Sequence, residues 1–244
     1  SGLLDLSLAP AWQPLFTDNV SGTTPYTATF VAPNKTSPAK LSLLSSLQGI
    51  AIDLPSPLNK PAEQAWPLET SLQFRANDLL LNAQTDGLKA QLSIANRQLA
   101  AGIITLGEGD KNDTPLPAFN GLLIKGQVTE FDLDAWIAAL QIGATSDDKI
   151  ADFDTHALVT IDHLSAAGFE LDTVNVDALR SEQLWAINID NPIIAGNIRV
   201  PEDRSQAIVT RLNYIALPKP EFGSGQSPLD NLDPSSLPTL DFAT

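Results

Sequence analysis

The side chains best suited to chemistry are the two histidines, His156 and His163, and the aspartates near them. A hydrolase triad requires a histidine beside a serine and an aspartate. Both histidines lie instead in runs of alternating apolar and polar residues, which are typical of a wetted strand face. Asp152, Asp154 and Asp162 could join His163 in a metal cluster, because residues i and i+2 of a strand share a face. Alternating acids in so acidic a chain are more typical of a solvated sheet, so we predict neither a catalytic residue nor a metal site here.

Two further acidic features have structural explanations. Asp132 and Asp134 open a helical pattern, and they suit the capping of free N–H groups better than general acid–base catalysis. The segment 107–113 is rich in glycine and acids, but it lacks the ligand spacing and the terminal Glu of an EF-hand. No G-x-S-x-G, P-loop or Rossmann pattern occurs in the sequence. We therefore predict a protein that is not an enzyme and uses no cofactor or metal.

Composition narrows the range of partners. The chain carries 29 acidic and 14 basic residues, a net charge of −15. Such a surface repels phosphate backbones and anionic headgroups, which argues against nucleic-acid binding and against membrane adhesion through a basic patch. No apolar run approaches the ~18–20 residues that cross a bilayer. Because the chain lacks methionine and begins Ser1-Gly2, we expect it to be a piece excised from a longer protein.

Period-two alternation dominates the sequence and predicts a mainly β fold. Its clearest stretch is 184–218, where Trp185, Ile187 and Ile189 alternate with polar residues. Two further strands follow in this stretch without an intervening helix, which predicts an antiparallel meander. Earlier apolar sets, separated by turn residues at short intervals, repeat the pattern from the N-terminus onwards. We therefore predict an all-β architecture in which such antiparallel strands continue along the chain.

A single helical pattern interrupts the strands. Leu133, Trp136, Ile137 and Leu140 share one face at i, i+3, i+4 and i+7 spacing, which predicts a short helix near 132–140. A helix of about two turns is marginal by itself, so we expect it to pack against the sheet.

The organisation predicted from these patterns has three parts. Residues 1–112 form an N-terminal β segment, and residues 113–217 form a helix-containing segment that continues the same sheet. Residues 218–244 are rich in Pro, Gly and Ser and are predicted to form an extended tail.

Several motifs in the same order resemble those of YhdP-type proteins, members of the AsmA-like group that includes TamB. They are QGIAIDLPSPLNKP at 48–61, GLLIKG at 121–126 leading to FDLDAW at 131–136, WAINIDNPIIAGNIRVP at 185–201, and RLNYIALP at 211–218 followed by LDPSSLPTLD at 232–241. The resemblance covers about residues 45 to 244.

This resemblance implies a Gram-negative envelope protein, anchored in the inner membrane by a segment outside these residues and extending through the periplasm. Its strands would form a long, curled antiparallel sheet, a taco-like groove with an apolar interior that conducts phospholipid between the inner and outer membranes. The implied partners are phospholipid, the inner membrane, and outer-membrane or periplasmic proteins that act in outer-membrane biogenesis.

If the chain forms such a groove, apolar residues of the second segment should line it. Our candidates are Leu158, Ile161, Val174, Val176, Trp185, Ile187, Ile189, Ile194, Ile198 and Leu212. The alternative is a non-catalytic β-sandwich or scaffold module in envelope assembly, in which the same apolar face would be an ordinary core.

Overall fold

A computed structural model describes residues 2–4, 19–96, 98–107, 115–142, 154–166, 168–181, 183–203 and 206–216. The strands are β1 Gly2–Leu4, β2 Val20–Gly22, β3 Thr24–Val31, β4 Ala39–Ser45, β5 Ile50–Ile52, β6 Leu68–Phe74, β7 Leu79–Thr85, β8 Leu88–Ala95, β9 Gln98–Leu106, β10 Gly121–Asp132, β11 Asp154–Ala166, β12 Phe169–Ser181, β13 Leu184–Asp190, β14 Ile194–Pro201 and β15 Val209–Ile215. The helix α1 is Leu133–Ile142. Predictions for 108–113, for Asp152 and for the tail 218–244 lie outside the described residues.

Thirteen strands form one sheet in the order β1-β3-β4-β6-β7-β8-β9-β10-β11-β12-β13-β14-β15, and β2 pairs with β5 in a small second sheet. The large sheet is not closed into a barrel, because β1 and β15 are its two edges. The predicted mainly β fold with one short helix is therefore confirmed. The sheet is also continuous across β9 and β10, which lie on either side of the predicted boundary at residue 112.

Strand β10 departs from the antiparallel order that we predicted. It pairs in parallel with both of its neighbours, β9 and β11. Parallel neighbours cannot be joined by a tight hairpin and need a crossover of roughly a dozen residues or more. The chain provides such connections on both sides of β10, since 107–120 precedes it and the helix followed by 143–153 comes after it.

The connection between β4 and β6 is a folded unit, which we call the 46–67 excursion. Its strand β5 pairs with β2, and Ile50 at the start of β5 is fully buried. Lys60 is 1% exposed, and its Nζ donates hydrogen bonds to the carbonyl oxygens of Ile50 at 2.7 Å and Pro61 at 3.2 Å. The excursion therefore has its own small core, closed by a buried lysine.

Helix α1 begins as the sequence predicts. Asp132 Oδ1 accepts a hydrogen bond from the backbone N–H of Ala135 at 2.8 Å, which satisfies one of the free donors of the first turn. The ring of Trp136 stacks on Phe131, with centroids 6.0 Å apart and planes inclined by 8°. The helix is thus held against the end of β10 by an aromatic pair.

Candidate functional site

The strand register divides the residues of the large sheet between two faces, because paired residues on neighbouring strands project from the same side. From Ile187, the pairs run towards β15 through Ile198 and Thr210. In the other direction they run through Ala178, Ala157, Ile124 and Ile104, then Ala90, Ala83, Thr70, Leu43 and Ala28. This Ile187 row crosses twelve strands without a charged residue. We call the side of the sheet that carries it the apolar face.

The neighbouring row on the opposite side of the sheet has a different character. It starts from Asn188 and comprises Asn197 and Arg211 in one direction, and Asp177, Leu158, Lys125, Thr105, Lys89, Gln84, Glu69, Leu44 and Thr27 in the other. Only Leu44 and Leu158 in this Asn188 row are apolar. We call this side the polar face.

Two more rows of the apolar face flank the Ile187 row. The Ile189 row includes Leu88, Leu106, Val159, Val176, Gly196 and Leu212. The Arg180 row includes Leu81, Leu92, Leu122, Thr155, Trp185 and Val200. Among the described positions of these three rows, Arg180 is the only charged residue.

The apolar face is incompletely covered. Ile104, Ile124 and Ile187 in its central row are half-buried rather than buried. Towards the β1 edge, Phe30 is 62% exposed and Phe74 is 49% exposed. The second sheet within the described residues consists of only β2 and β5, which is too small to cover thirteen strands. A contiguous apolar surface of this extent is typical of a site that binds a partner or a ligand.

Strands β11 and β12 are irregular at one level. The ladder pairs Ile161 with Val174, omits the next pair, and resumes at His163 and Asp172. Thr173, in the omitted pair, has a positive φ of 56°. The parallel ladder between β10 and β11 also lacks one pair at this level, between Val128–Ile161 and Glu130–His163. Apolar side chains from both sides of this level pack into one cluster. They are Val128, Ile161 and Val174 on one side and Phe131, Leu164 and Leu171 on the other. The pairing of β10, β11 and β12 is therefore interrupted at the same level.

A family model described as YhdP protein matches residues 2–244. The chain belongs to the YhdP family. This confirms the resemblance carried by the sequence motifs. No curated protein and no solved structure matches the chain. Within the described residues, no helix has the length and apolar character required to cross a membrane.

Two of the motifs through which the sequence resembles the YhdP family meet in space. Trp136 Nε1 donates a hydrogen bond to the carbonyl oxygen of Ser56 at 2.8 Å, and the Ser56 hydroxyl donates to the carbonyl oxygen of Glu130 at 3.4 Å. The 46–67 excursion leaves the sheet between β4 and β6, so this contact spans the three strands that separate β6 from β10. Because Trp136 stacks on Phe131, which packs in the cluster of the apolar face, the contact lies beside that face.

Nine of the ten residues proposed to line a groove in this YhdP-family chain lie together on the apolar face. They are Ile161, Val174, Val176, Trp185, Ile187, Ile189, Ile194, Ile198 and Leu212. Leu158 is not brought together with them. It pairs with Lys125 and Asp177 on the polar face and is 42% exposed. Leu158 lies three residues from Ile161, and an odd spacing within a regular strand places two side chains on opposite faces.

The histidines form cross-strand pairs with aspartates of β12. His156 Nε2 lies 2.8 Å from Asp177 Oδ1, and His163 Nδ1 lies 2.7 Å from Asp172 Oδ1. The His163 and Asp172 side chains are largely exposed. No group of three or more His, Asp or Glu side chains within the described residues has the arrangement of a metal site. Asp162 instead accepts a hydrogen bond from Gln127.

Sequence reasoning did not single out Arg180. Its Nε donates to the carboxylate of Glu202, which follows β14. A signal for it exists in the sequence, because Arg180 occupies the same alternating set of β12 positions as Val174, Val176 and Ala178. A single cation that continues an apolar set predicts a charged residue on the apolar face.

Proposed function

We propose that this YhdP-family chain is a segment of a periplasmic protein that conducts phospholipid between the inner and outer membranes, with the acyl chains held on the apolar face. In the whole protein, an anchor outside these residues holds it in the inner membrane. We propose no catalytic step. The observation that carries the proposal is the incompletely covered apolar face, whose rows cross the sheet with one charged residue among their described positions.

The energetics of lipid in water explain the value of such a surface. Exposing one acyl chain of about 16 carbons to water costs on the order of 13 kcal/mol, at ~0.8 kcal/mol per methylene. Two chains cost roughly twice as much, so free diffusion across an aqueous gap is negligibly slow. A wall of Leu, Ile, Val and Ala side chains removes most of this cost, because the acyl chains then remain in apolar surroundings.

The dimensions of the sheet suit a track rather than a single binding site. Thirteen strands spaced by about 4.8 Å extend roughly 58 Å along the direction of the rows. The Ile187 row is built from uncharged, mostly apolar residues across twelve of these thirteen strands. Uniformity matters because one much deeper site would trap the lipid.

Curling of the sheet would turn the apolar face into a groove. The interrupted pairing of β10, β11 and β12 supports this, because a ladder that is broken at one level in three neighbouring strands resists bending less there. The contact between Trp136 and Ser56 also supports it, since a chain segment that leaves the sheet at β4 reaches β10 beside the apolar face. Headgroups would lie at the margin of the groove and not among the acyl chains.

The scaffold alternative requires the apolar face to be an ordinary core. A β-sandwich would bury this face under a second sheet of similar size. The described residues provide only the β2–β5 pair, and central residues such as Ile187 remain half-buried. These observations favour an apolar guest over a folded partner layer.

The proposal is tested by photocrosslinking in bacterial cells that make the full-length protein. A photoreactive amino acid at Ile187 or Ile198, both on the apolar face, should capture phospholipid that mass spectrometry identifies. The same amino acid at Asn188 or Asn197, on the polar face of the same two strands, is the matched control. Equal capture from both faces, or none from either, would contradict lipid conduction.

A second experiment distinguishes a lipid-binding surface from an ordinary hydrophobic core at Ile187. Ile187→Asp should lower lipid capture while the circular dichroism spectrum and the midpoint of thermal unfolding stay close to those of the parent. If Ile187 belongs to an ordinary core, the substitution should unfold the chain instead, because an unpaired buried charge is strongly destabilising.

A further inference from the structure

One cation interrupts the apolar face. The Arg180 side chain is 8% exposed and is paired with Glu202, whose side chain is 33% exposed. Burial of a charge is costly, and replacing a buried ion pair by apolar residues is often neutral or stabilising. Folding alone therefore gives little reason for an ion pair on an otherwise apolar surface. The position is more easily understood if the cation has a ligand.

The location of Arg180 fits the polar end of a lipid. It lies one residue before the end of β12 and pairs across the sheet with Trp185. On the same face, β12 continues from Arg180 through Ala178 and Val176 to Val174. Six residues of strand span roughly 20 Å, and one leaflet of a bilayer's hydrocarbon core is about 15 Å deep, half of its ~30 Å thickness. A lipid with its phosphate at Arg180 thus has room for its acyl chains along β12.

Glu202, one partner of Arg180, indicates which chemical group the ligand carries. A phosphodiester presents two anionic oxygens to a guanidinium in much the same way as a carboxylate. Glu202 belongs to the turn after β14 and is one-third exposed, so its carboxylate can turn into water when another anion replaces it. With a net charge of −15, the chain as a whole repels a phosphate, so the cation at Arg180 is an exception on the apolar face.

We propose that Arg180 binds the phosphate of a phospholipid headgroup, and that the Glu202 carboxylate occupies this place when no lipid is bound. This inference rests on the proposed function, since it presupposes acyl chains on the apolar face. It makes Arg180 a determinant of specificity, because a lipid without phosphate cannot displace Glu202.

The test measures retention of two fluorescent lipids by the purified chain after incubation with micelles of an uncharged, phosphate-free detergent that carry them. The lipids are phosphatidylethanolamine and a diacylglycerol with the same acyl chains. The parent should prefer phosphatidylethanolamine by about tenfold or more. Arg180→Met with Glu202→Gln leaves the net charge at −15, since one positive and one negative charge are removed. This pair should abolish the preference without weakening diacylglycerol binding.

The single variant Glu202→Gln provides the sharper test. If Glu202 competes with the phosphate, Glu202→Gln should raise the affinity for phosphatidylethanolamine, whereas Arg180→Met should lower it. A purely structural ion pair predicts that both variants lose affinity together. Arg199→Met removes a cation from the polar face and should leave the preference unchanged. Arg180→Lys retains the charge with a different geometry and should keep a reduced preference. It takes the place of Arg180→Met in the test if Arg180→Met does not fold.

Several results would overturn the assignment. It fails if the parent does not distinguish the two lipids, if the preference survives Arg180→Met, or if Glu202→Gln weakens phosphatidylethanolamine binding. It also fails if millimolar inorganic phosphate displaces phosphatidylethanolamine completely, because Arg180 would then be a site for free anions. If neither lipid binds to any variant, the proposed lipid function fails as well, which distinguishes the two conclusions.

Discussion

Lys60 is a cation held almost entirely out of water inside the 46–67 excursion. Its burial lowers the pKa of the ammonium group below the ordinary value of 10.5, and the nearby Glu63 opposes that shift. The unfolded chain therefore binds more protons than the folded chain between the lowered pKa and 10.5. Because stability rises with pH wherever the unfolded state binds more protons, Lys60 should make the fold more stable as the pH increases through this window.

Lys60→Met removes this titration while it keeps a side chain of similar length. We expect the free energy of unfolding of the parent to rise relative to that of the variant as the pH increases towards 10.5, by the linkage argument. Urea unfolding at a series of pH values measures both curves. Lys35→Met, at an exposed position between β3 and β4, is the control and should follow the parent. Parallel curves for the parent and Lys60→Met would contradict the prediction.

Leu158 and Ile161 are apolar residues of the same strand, but the structure places them on opposite faces. Ile161 is 6% exposed and packs in the cluster with Val174, whereas Leu158 is 42% exposed. Ile161→Ala should cost about 3 kcal/mol of stability through lost burial and the cavity left behind, and Leu158→Ala should cost about 1 kcal/mol or less. Denaturant unfolding of both variants checks the difference. Similar losses would mean that the register of β11 is wrong.

At the scale of elements, helix α1 holds the 46–67 excursion through the indole of Trp136, which hydrogen-bonds to Ser56. Trp136→Phe keeps an aromatic ring to stack on Phe131 but removes the Nε1 donor to Ser56, so it should cost about 1 kcal/mol. Hydrogen exchange should increase within residues 46–67 and change little in β13 and β14. Trp136→Ala removes the stack as well and should cost more. Unchanged exchange in 46–67 would show that the excursion is held by its own core alone.

The elements differ in how far the sequence could predict them. In β13, Ile187 and Ile189 alternate with Asn188 and Asp190, so both the strand and its apolar face follow from side-chain period. Leu158 also fits an alternating pattern, but its strand register places it on the polar face. The contact between Trp136 and Ser56 joins residues eighty positions apart, and no local pattern encodes it. The parallel pairing of β10 likewise depends on the course of long connections and not on the residues of the strand.

At the scale of the whole molecule, the large sheet of the described residues is close to one-dimensional, because each of its strands pairs only with its immediate neighbours. Stability in such an architecture depends on each strand-to-strand joint in turn. The joint between β9 and β10 connects the two segments that the sequence predicts to meet near residue 112. At this joint Gly126 has a φ of +127°, and a Cβ on it would lie 2.0 Å from the Leu106 carbonyl oxygen. A side chain at Gly126 is therefore incompatible with the joint as it stands.

Gly126→Ala should accordingly weaken the coupling between residues 19–107 and 115–216, with a loss of about 3 kcal/mol. Because the Trp136–Ser56 contact also bridges the two segments, combining Gly126→Ala with Trp136→Phe should let them lose protection from hydrogen exchange at different denaturant concentrations. Gly87→Ala is the matched control, since Gly87 also has a positive φ but has open space around its Cβ position. It should cost about 1 kcal/mol and leave the segments coupled. If the doubly substituted chain still unfolds as one unit, contacts other than this joint and the helix anchor hold the sheet together, and the division near residue 112 has no energetic basis.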